Sequence, residues 1–214
     1  GVEGCPQGDM HLNVMTRSGW HEMGRQLSPL IFWVNKSYSR GILRLDPARP
    51  DGPPVIDFAM LSDERDLVRL AGAFEHAIDL LADPAMQGAV RGAYPAVMSP
   101  LVRRLSAPGL FNEVAMRIAG AALDLSGGVR ARLLPHVLAK APGLAELRND
   151  RAALTAFIRS NIRGVWHPAG TCRMGVAHDP MAVVDANGAV LGVEGLWVCD
   201  ASILPTMPCA NINI

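Results

Sequence analysis

The sequence predicts an α+β fold in which an antiparallel sheet is backed by helices. Three observations lead there. Two β-rich runs, 30–34 and 41–45, sit close together in one stretch. An apolar stripe at helical spacing follows over 63–83. After Gly164 helical periodicity ends, and short β-rich runs alternate with glycine-bearing turns.

Residues 1–28 show no clean period. The run PLIFWVNKSYSRGILRL, 29–45, reads as two antiparallel strands joined by NKSYSR. A turn-rich stretch, DPARPDGPPVIDF, leads into a further short strand at 55–58. The helix over 63–83 has Ser62 as its expected N-cap, with Asp63, Glu64 and Asp66 in the first turn. Its inward stripe is Leu67, Leu70, Ala71, Phe74, Ile78 and Leu81, and Pro84 follows its end. Residues 85–148 read as short helices and loops broken by Pro95, Pro100, Pro108, Pro135 and Pro142. Arg91, Arg103, Arg104, Arg130 and Arg132 read there as solvated faces. A second helix, 151–161, is capped by Asp150 and turns Leu154, Phe157 and Ile158 inward. In the last fifty residues, Asn187-Gly188 and Glu194-Gly195 mark turns, and GLWVCD reads as a buried strand.

Bulk properties narrow the function classes. The 214 residues carry 20 basic and 20 acidic side chains, so the basic excess expected of a nucleic-acid-binding protein is missing. Every apolar run is interrupted before the roughly 18 residues that suggest a membrane span. No signal-peptide pattern opens the sequence. Cys5, Cys172, Cys199 and Cys209 form no CxxC pair, and His178 has no second ligand at zinc-finger distance, which argues against a structural zinc site. A reducing, cytoplasmic compartment is the expectation. Both ends, GVEGCPQGDM and PCANINI, read as mid-chain material and predict a piece of a longer polypeptide.

The stretch GVWHPAGTCRMG, 164–175, holds the most constrained histidine. Pro168 biases His167 toward extended backbone, and Gly164 and Gly170 permit close approach of other groups. His167 is either a placed base or a hydrogen-bonded core histidine. A nucleophilic triad of His167, Asp200 and Ser202 lacks the Gly-flanked elbow that such a serine needs. Cys172 shows nothing that would lower its pKa. No G-x-G-x-x-G and no Walker sequence is present, and the glycines near 120–128 make no phosphate loop. Asn211 and Asn213 follow two prolines, where an asparagine commonly bonds its own backbone.

WHPAGTCRMG followed by DPMAVVDANGAVLGVEGLWVCDASILPTMPCANIN resembles the C-terminal signature of the glucose–methanol–choline (GMC) family of FAD-dependent oxidoreductases. SYSRGILRLDPARPDGPPVIDFAMLSDERDLVRLAGAF is similar, more loosely, to that family's strand–turn–strand–helix segment. The resemblance covers 29–83 and 150–214 well and 84–149 poorly. FWVNK and GVWHPAGT look most like the alcohol and hydroxymethylfurfural oxidase branch, beside choline dehydrogenases.

The resemblance implies a substrate-binding domain over 1–163, an antiparallel sheet backed by helices. It implies that 164–214 returns as C-terminal strands to an FAD-binding α/β domain. The N-terminal FAD-domain portion, with its G-x-G-x-x-G, would belong to the same protein. The implied reaction oxidises a primary alcohol to an aldehyde, by removal of the hydroxyl proton and hydride transfer to flavin N5. O2 or another acceptor would then take the electrons. His167 matches the base, and Asn211 matches the second active-site residue, a hydrogen-bond donor to the alcohol oxygen. Trp166, Asp200, Ala201 and Ile212 match positions that contact or pack near FAD. Ile31 and Trp33 are the implied lining of the alcohol pocket. Two other readings remain open: a cyanohydrin lyase that keeps FAD as a structural element, and a non-catalytic substrate-domain piece.

Overall fold

The computed structural model describes residues 5–86, 88–90, 92–97, 100–124, 128 and 141–212. Small two-stranded sheets and helices make up the fold. Strand β1 (Met10–Val14) pairs with β2 (Leu30–Val34). Met15 N–H donates to the Pro29 carbonyl and Asn35 N–H to that of Asp9, so the two strands run antiparallel. Strand β3 (Ile42–Arg44) pairs antiparallel with β4 (Val55–Asp57), setting Leu43 opposite Ile56.

The run 29–45 therefore yields its two strands but not as partners of each other. The reason lies in NKSYSR. Lys36 N–H donates to the Asp9 carboxyl, and Tyr38 and Ser39 N–H both donate to the Asp66 carboxylate. These amides are drawn to side-chain acceptors, so the connection does not close as a hairpin turn and each strand takes a different partner.

Helix α1 (Glu64–Ala82) starts one residue later than the sequence suggests. Asp63 rather than Ser62 closes its first turn, since the Asp63 carboxylate accepts from Arg65 N–H and its carbonyl from Asp66 N–H. Then follow α2 (Pro100–Ser106), α3 (Leu110–Asp124), α4 (Leu144–Asn149) and α5 (Arg151–Asn161). Asp150 caps α5 as expected, its carboxylate accepting from the N–H groups of Ala152 and Ala153. Arg103 and Arg104 are exposed on α2. Arg91, Arg130, Arg132, Pro135 and Asn213 lie outside the described residues. Among the described residues no helix is long and apolar enough to cross a membrane.

Two compact units emerge. One comprises Leu12–Phe32 and Leu67–Ile162. Its core is the α1 stripe of Leu67, Leu70, Ala71 and Ala77 together with Met116, Leu147, Leu154 and Ile158, all buried. Phe74 meets Phe32 and Phe157 edge-on, and Arg148 and Arg151 pair with Asp79 and Glu75 of α1. A short 3-10 turn, Glu22–Gln26, packs on α3 and is capped by the buried His21, whose Nδ1 accepts from Gly24 N–H. The other unit comprises Gly1–His11, Trp33–Asp66 and Arg163–Ile214.

Replacing Leu154, which is fully buried, with alanine should cost about 2–5 kcal/mol through lost transfer energy and a residual cavity. Replacing Asp150 with alanine should cost only about 1 kcal/mol, the worth of a cap. Urea titrations of both variants check the ranking, which comparable losses would contradict.

Candidate functional site

Within the second unit, segments that are neither helix nor regular strand lie side by side. Gly170 N–H donates to the Ala201 carbonyl (3.3 Å), Cys172 N–H to that of Ser202 (2.9 Å) and Met174 N–H to that of Ile203 (2.8 Å). On the other flank of the same segment, Val183 N–H donates to the Arg173 carbonyl and Gly175 N–H to that of Val184. Val184 is fully buried and bridges both Met174 and Val190. The turn 185–189 forms where Asn187-Gly188 signalled it, with Gly188 at φ +77°. Chain stiffness is thus imposed on 170–175 from both sides, and the residues just before it inherit a fixed exit direction.

Trp166 and His167 sit at that exit. Trp166 adopts φ +60°, a left-handed conformation that costs a bulky L-residue about 1–3 kcal/mol. The residue is 72% exposed, and its indole meets Phe58 edge-on, with ring centroids 6.5 Å apart. His167 is half-buried. Its Nδ1 is enclosed and has no hydrogen-bond partner among the described residues. Leaving such a group unpaired costs about 1–3 kcal/mol.

Gly170 shows why glycine stands in this turn. Its φ is +83°, and a Cβ there would lie 3.3 Å from the Leu204 carbonyl oxygen.

The ladder sets the His167 segment beside Asp200 and Ala201, which open a one-turn 3-10 helix, Ala201–Ile203. The Asp200 carboxylate caps that turn by accepting from Ser202 N–H at 2.7 Å. The Ser202 hydroxyl beside it, then this backbone N–H, hold the Asp200 carboxyl below the usual carboxylate range. The backbone bond is the better formed of the two, since Ser202 Oγ is buried without a hydrogen-bond partner among the described residues. Asp200 is committed to capping, which leaves it poorly placed to orient His167 as a triad acid.

Asn211 is exposed and Ile212 half-buried, on a stretch that follows a separate anchor at Met207. Trp33 is half-buried, stacked on His11 at 4.3 Å, and its Nε1 donates to Asn35 Oδ1. Ile31, on the same strand, is 37% exposed and belongs to the helical unit. The expected buried strand GLWVCD is corrected by the structure: Leu196 and Trp197 are 50% and 62% exposed. Among the described residues Trp197 is bridged only to Ala189, and a strand buried on both faces needs neighbours on both sides. The sequence reading missed Lys36 and Asp9. The turn-type dipeptide Gly8-Asp9 was the available signal for the second, and Lys36 carried none.

The model of the GMC oxidoreductase family matches residues 37–214. The chain is 38% identical over 188 residues to a 5-(hydroxymethyl)furfural oxidase of Methylovorus sp. (strain MP688), a match over 88% of this chain and 29% of that protein. It is 31% identical over 178 residues to an oxygen-dependent choline dehydrogenase of Brucella ovis, covering 83% of this chain and 24% of that one. Among solved structures, a fungal aryl-alcohol oxidase superposes with a TM-score of 0.56 at 25% identity, over 86% of this chain and 22% of the other. The chain thus spans less than a third of the length of the relatives it matches.

The depressed Asp200 carboxyl yields a pH signature. A carboxylate whose folded pKa lies below its unfolded value, about 3.9, stabilises the fold at every pH above that value. The stabilisation disappears as pH falls through the folded pKa. Asp200→Asn should therefore melt below the wild type at pH 7, with the gap closing below about pH 4. Melting curves from pH 7 to pH 3 check it, and a gap independent of pH would contradict it. Gly170→Ala should cost about 1–2 kcal/mol from its left-handed backbone, read in the same melts.

Proposed function

Because the chain belongs to the GMC oxidoreductase family, we propose that it forms the C-terminal part of an FAD-dependent enzyme that oxidises a primary alcohol to an aldehyde. Residues 1–163 would supply most of its substrate-binding domain, and 164–214 would return to an FAD-binding α/β domain completed by an N-terminal portion of the same protein. The observation that carries the reading is the enclosed, unpartnered Nδ1 of His167, held on a stiffened segment.

The residues present fit a flavin. An exposed indole at Trp166 offers a flat apolar surface, and the adjoining imidazole has an unmet hydrogen-bonding group. Trp166, Asp200, Ala201 and Ile212 would hold the cofactor. When bound, FAD supplies the hydride acceptor at N5, and O2 or another acceptor would take the electrons onward.

His167 would remove the hydroxyl proton. With Nδ1 enclosed, Nε2 is the ring nitrogen left to meet the alcohol, and Nδ1 would carry the resting proton. The Asn211 side-chain amide would donate a hydrogen bond to the alcohol oxygen as negative charge grows there. Trp33 and Ile31 are proposed as pocket lining. The names of the relatives, a 5-(hydroxymethyl)furfural oxidase, an oxygen-dependent choline dehydrogenase and an aryl-alcohol oxidase, support an alcohol substrate of small, flat or cationic type.

In the complete polypeptide loaded with FAD, His167→Ala should slow flavin reduction by an alcohol about 10²–10⁴-fold with the melting temperature held. Stopped-flow bleaching of the flavin by benzylic, furfuryl and simple alkyl alcohols and by choline reads it directly. A near-normal rate in the variant removes His167 from the reaction. A wild-type flavin that stays oxidised with every alcohol while a cyanohydrin is cleaved identifies a lyase.

A further inference from the structure

The stretch 205–212 that carries Asn211 holds no regular helix or strand, and Pro205 and Pro208 remove two backbone donors from it. Such a loop is placed by what grips it. Lys36 Nζ donates to the Met207 carbonyl at 2.7 Å across 171 residues of sequence. Two residues on, Cys209 Sγ faces the Gln7 carbonyl at 3.8 Å and packs against Gly8, where a Cβ would come within 3.2 Å of the sulfur.

Both grips rise from one cradle. The turn 6–9 is closed by Asp9 N–H to the Pro6 carbonyl, with Gly8 at φ +71°. Asp9 is only 2% exposed, and its carboxyl accepts from Lys36 N–H at 3.1 Å. Asn35 N–H donates to the Asp9 carbonyl, Asn35 Nδ2 to the Gly8 carbonyl at 2.8 Å, and Trp33 Nε1 to Asn35 Oδ1 at 2.9 Å. The Lys36 backbone is thereby fixed before its side chain reaches out. A lysine ammonium on a rooted backbone then makes a charge-assisted bond to a carbonyl four residues before Asn211.

The geometry points to Lys36, rooted by Asp9, as a positioning residue for Asn211, acting through the Met207 carbonyl. This rests on the role proposed above for Asn211. Displacement of a donor by about 1 Å can cost a reaction about 100-fold, so removing the grip should be visible in the rate while the fold survives.

The test is a double-mutant cycle in the complete polypeptide loaded with FAD, using Lys36→Met, Asn211→Ala and the pair. Lys36→Met should slow flavin reduction by alcohol about 10–100-fold, and the pair should be no slower than Asn211→Ala alone. Losses that multiply, or a Lys36→Met rate equal to wild type, overturn the assignment, since a residue that only stabilises the fold would act independently of residue 211. If Lys36→Met does not fold, Lys36→Gln enters the same cycle with the same criteria.

Hydrogen exchange separates this inference from the reaction it rests on. Amides within 206–212 should exchange faster in the Lys36 variant, with the remainder unchanged. If no alcohol bleaches the wild-type flavin, the reaction proposal fails and exchange alone judges the grip. Unchanged exchange within 206–212 would overturn it.

Discussion

The backbone ladder from Gly170, Cys172 and Met174 to Ala201, Ser202 and Ile203 is the constraint on which the site depends. Neither segment has the residue pattern of a strand, and neither is long enough to stand alone. The carbonyls of 201–203 accept from the amides of the first segment, and the 170–175 stretch is met on its far side by Val183 and Val184. These three backbone bonds set the register of the two segments. It decides where the chain leaves Gly170 and hence where His167 and Trp166 stand.

The left-handed backbone at Trp166 and the enclosed Nδ1 at His167 are adjacent costs, one steric and one polar. Adjacent costs of this kind persist where surrounding contacts over-determine them. The ladder provides that over-determination. A second support is of different chemistry: the loop before Asn211 is held by one ammonium and one sulfur contact from the cradle around Asp9. The segment beside His167 is thus held by main-chain pairing, and the loop before Asn211 by side chains reaching from another part of the chain.

The helical unit is held together by a different interaction. Leu67, Leu70 and Ala71 of α1, with Leu147 and Leu154 further along the chain, make an ordinary apolar core, tied at its rim by exposed Arg–Asp and Arg–Glu pairs of small individual worth. The cap at Asp150 begins α5 at a defined residue. Nothing in that core requires the polar placement seen around 164–212.

Local chemistry was legible in the sequence. Asp150 before a periodic run gave α5 its bounds, the spacing of Leu67, Leu70 and Ala71 gave α1 its buried face, and Asn187-Gly188 marked its turn, because each depends on side chains within a few residues. The order of WHPAGTCRMG and CDASILP carried the family, and the family model confirmed it. Partner choice was decided only in three dimensions. The strands at 30–34 and 42–44 looked like one hairpin until the amides between them went to Asp9 and Asp66, and GLWVCD looked buried although, among the described residues, it is bridged on one side. Lys36 is ordinary in sequence and acquires its meaning from a carbonyl 171 residues away. Pairing over such separations is set by which distant donor and acceptor the packed chain brings within 3 Å, and no short pattern encodes that.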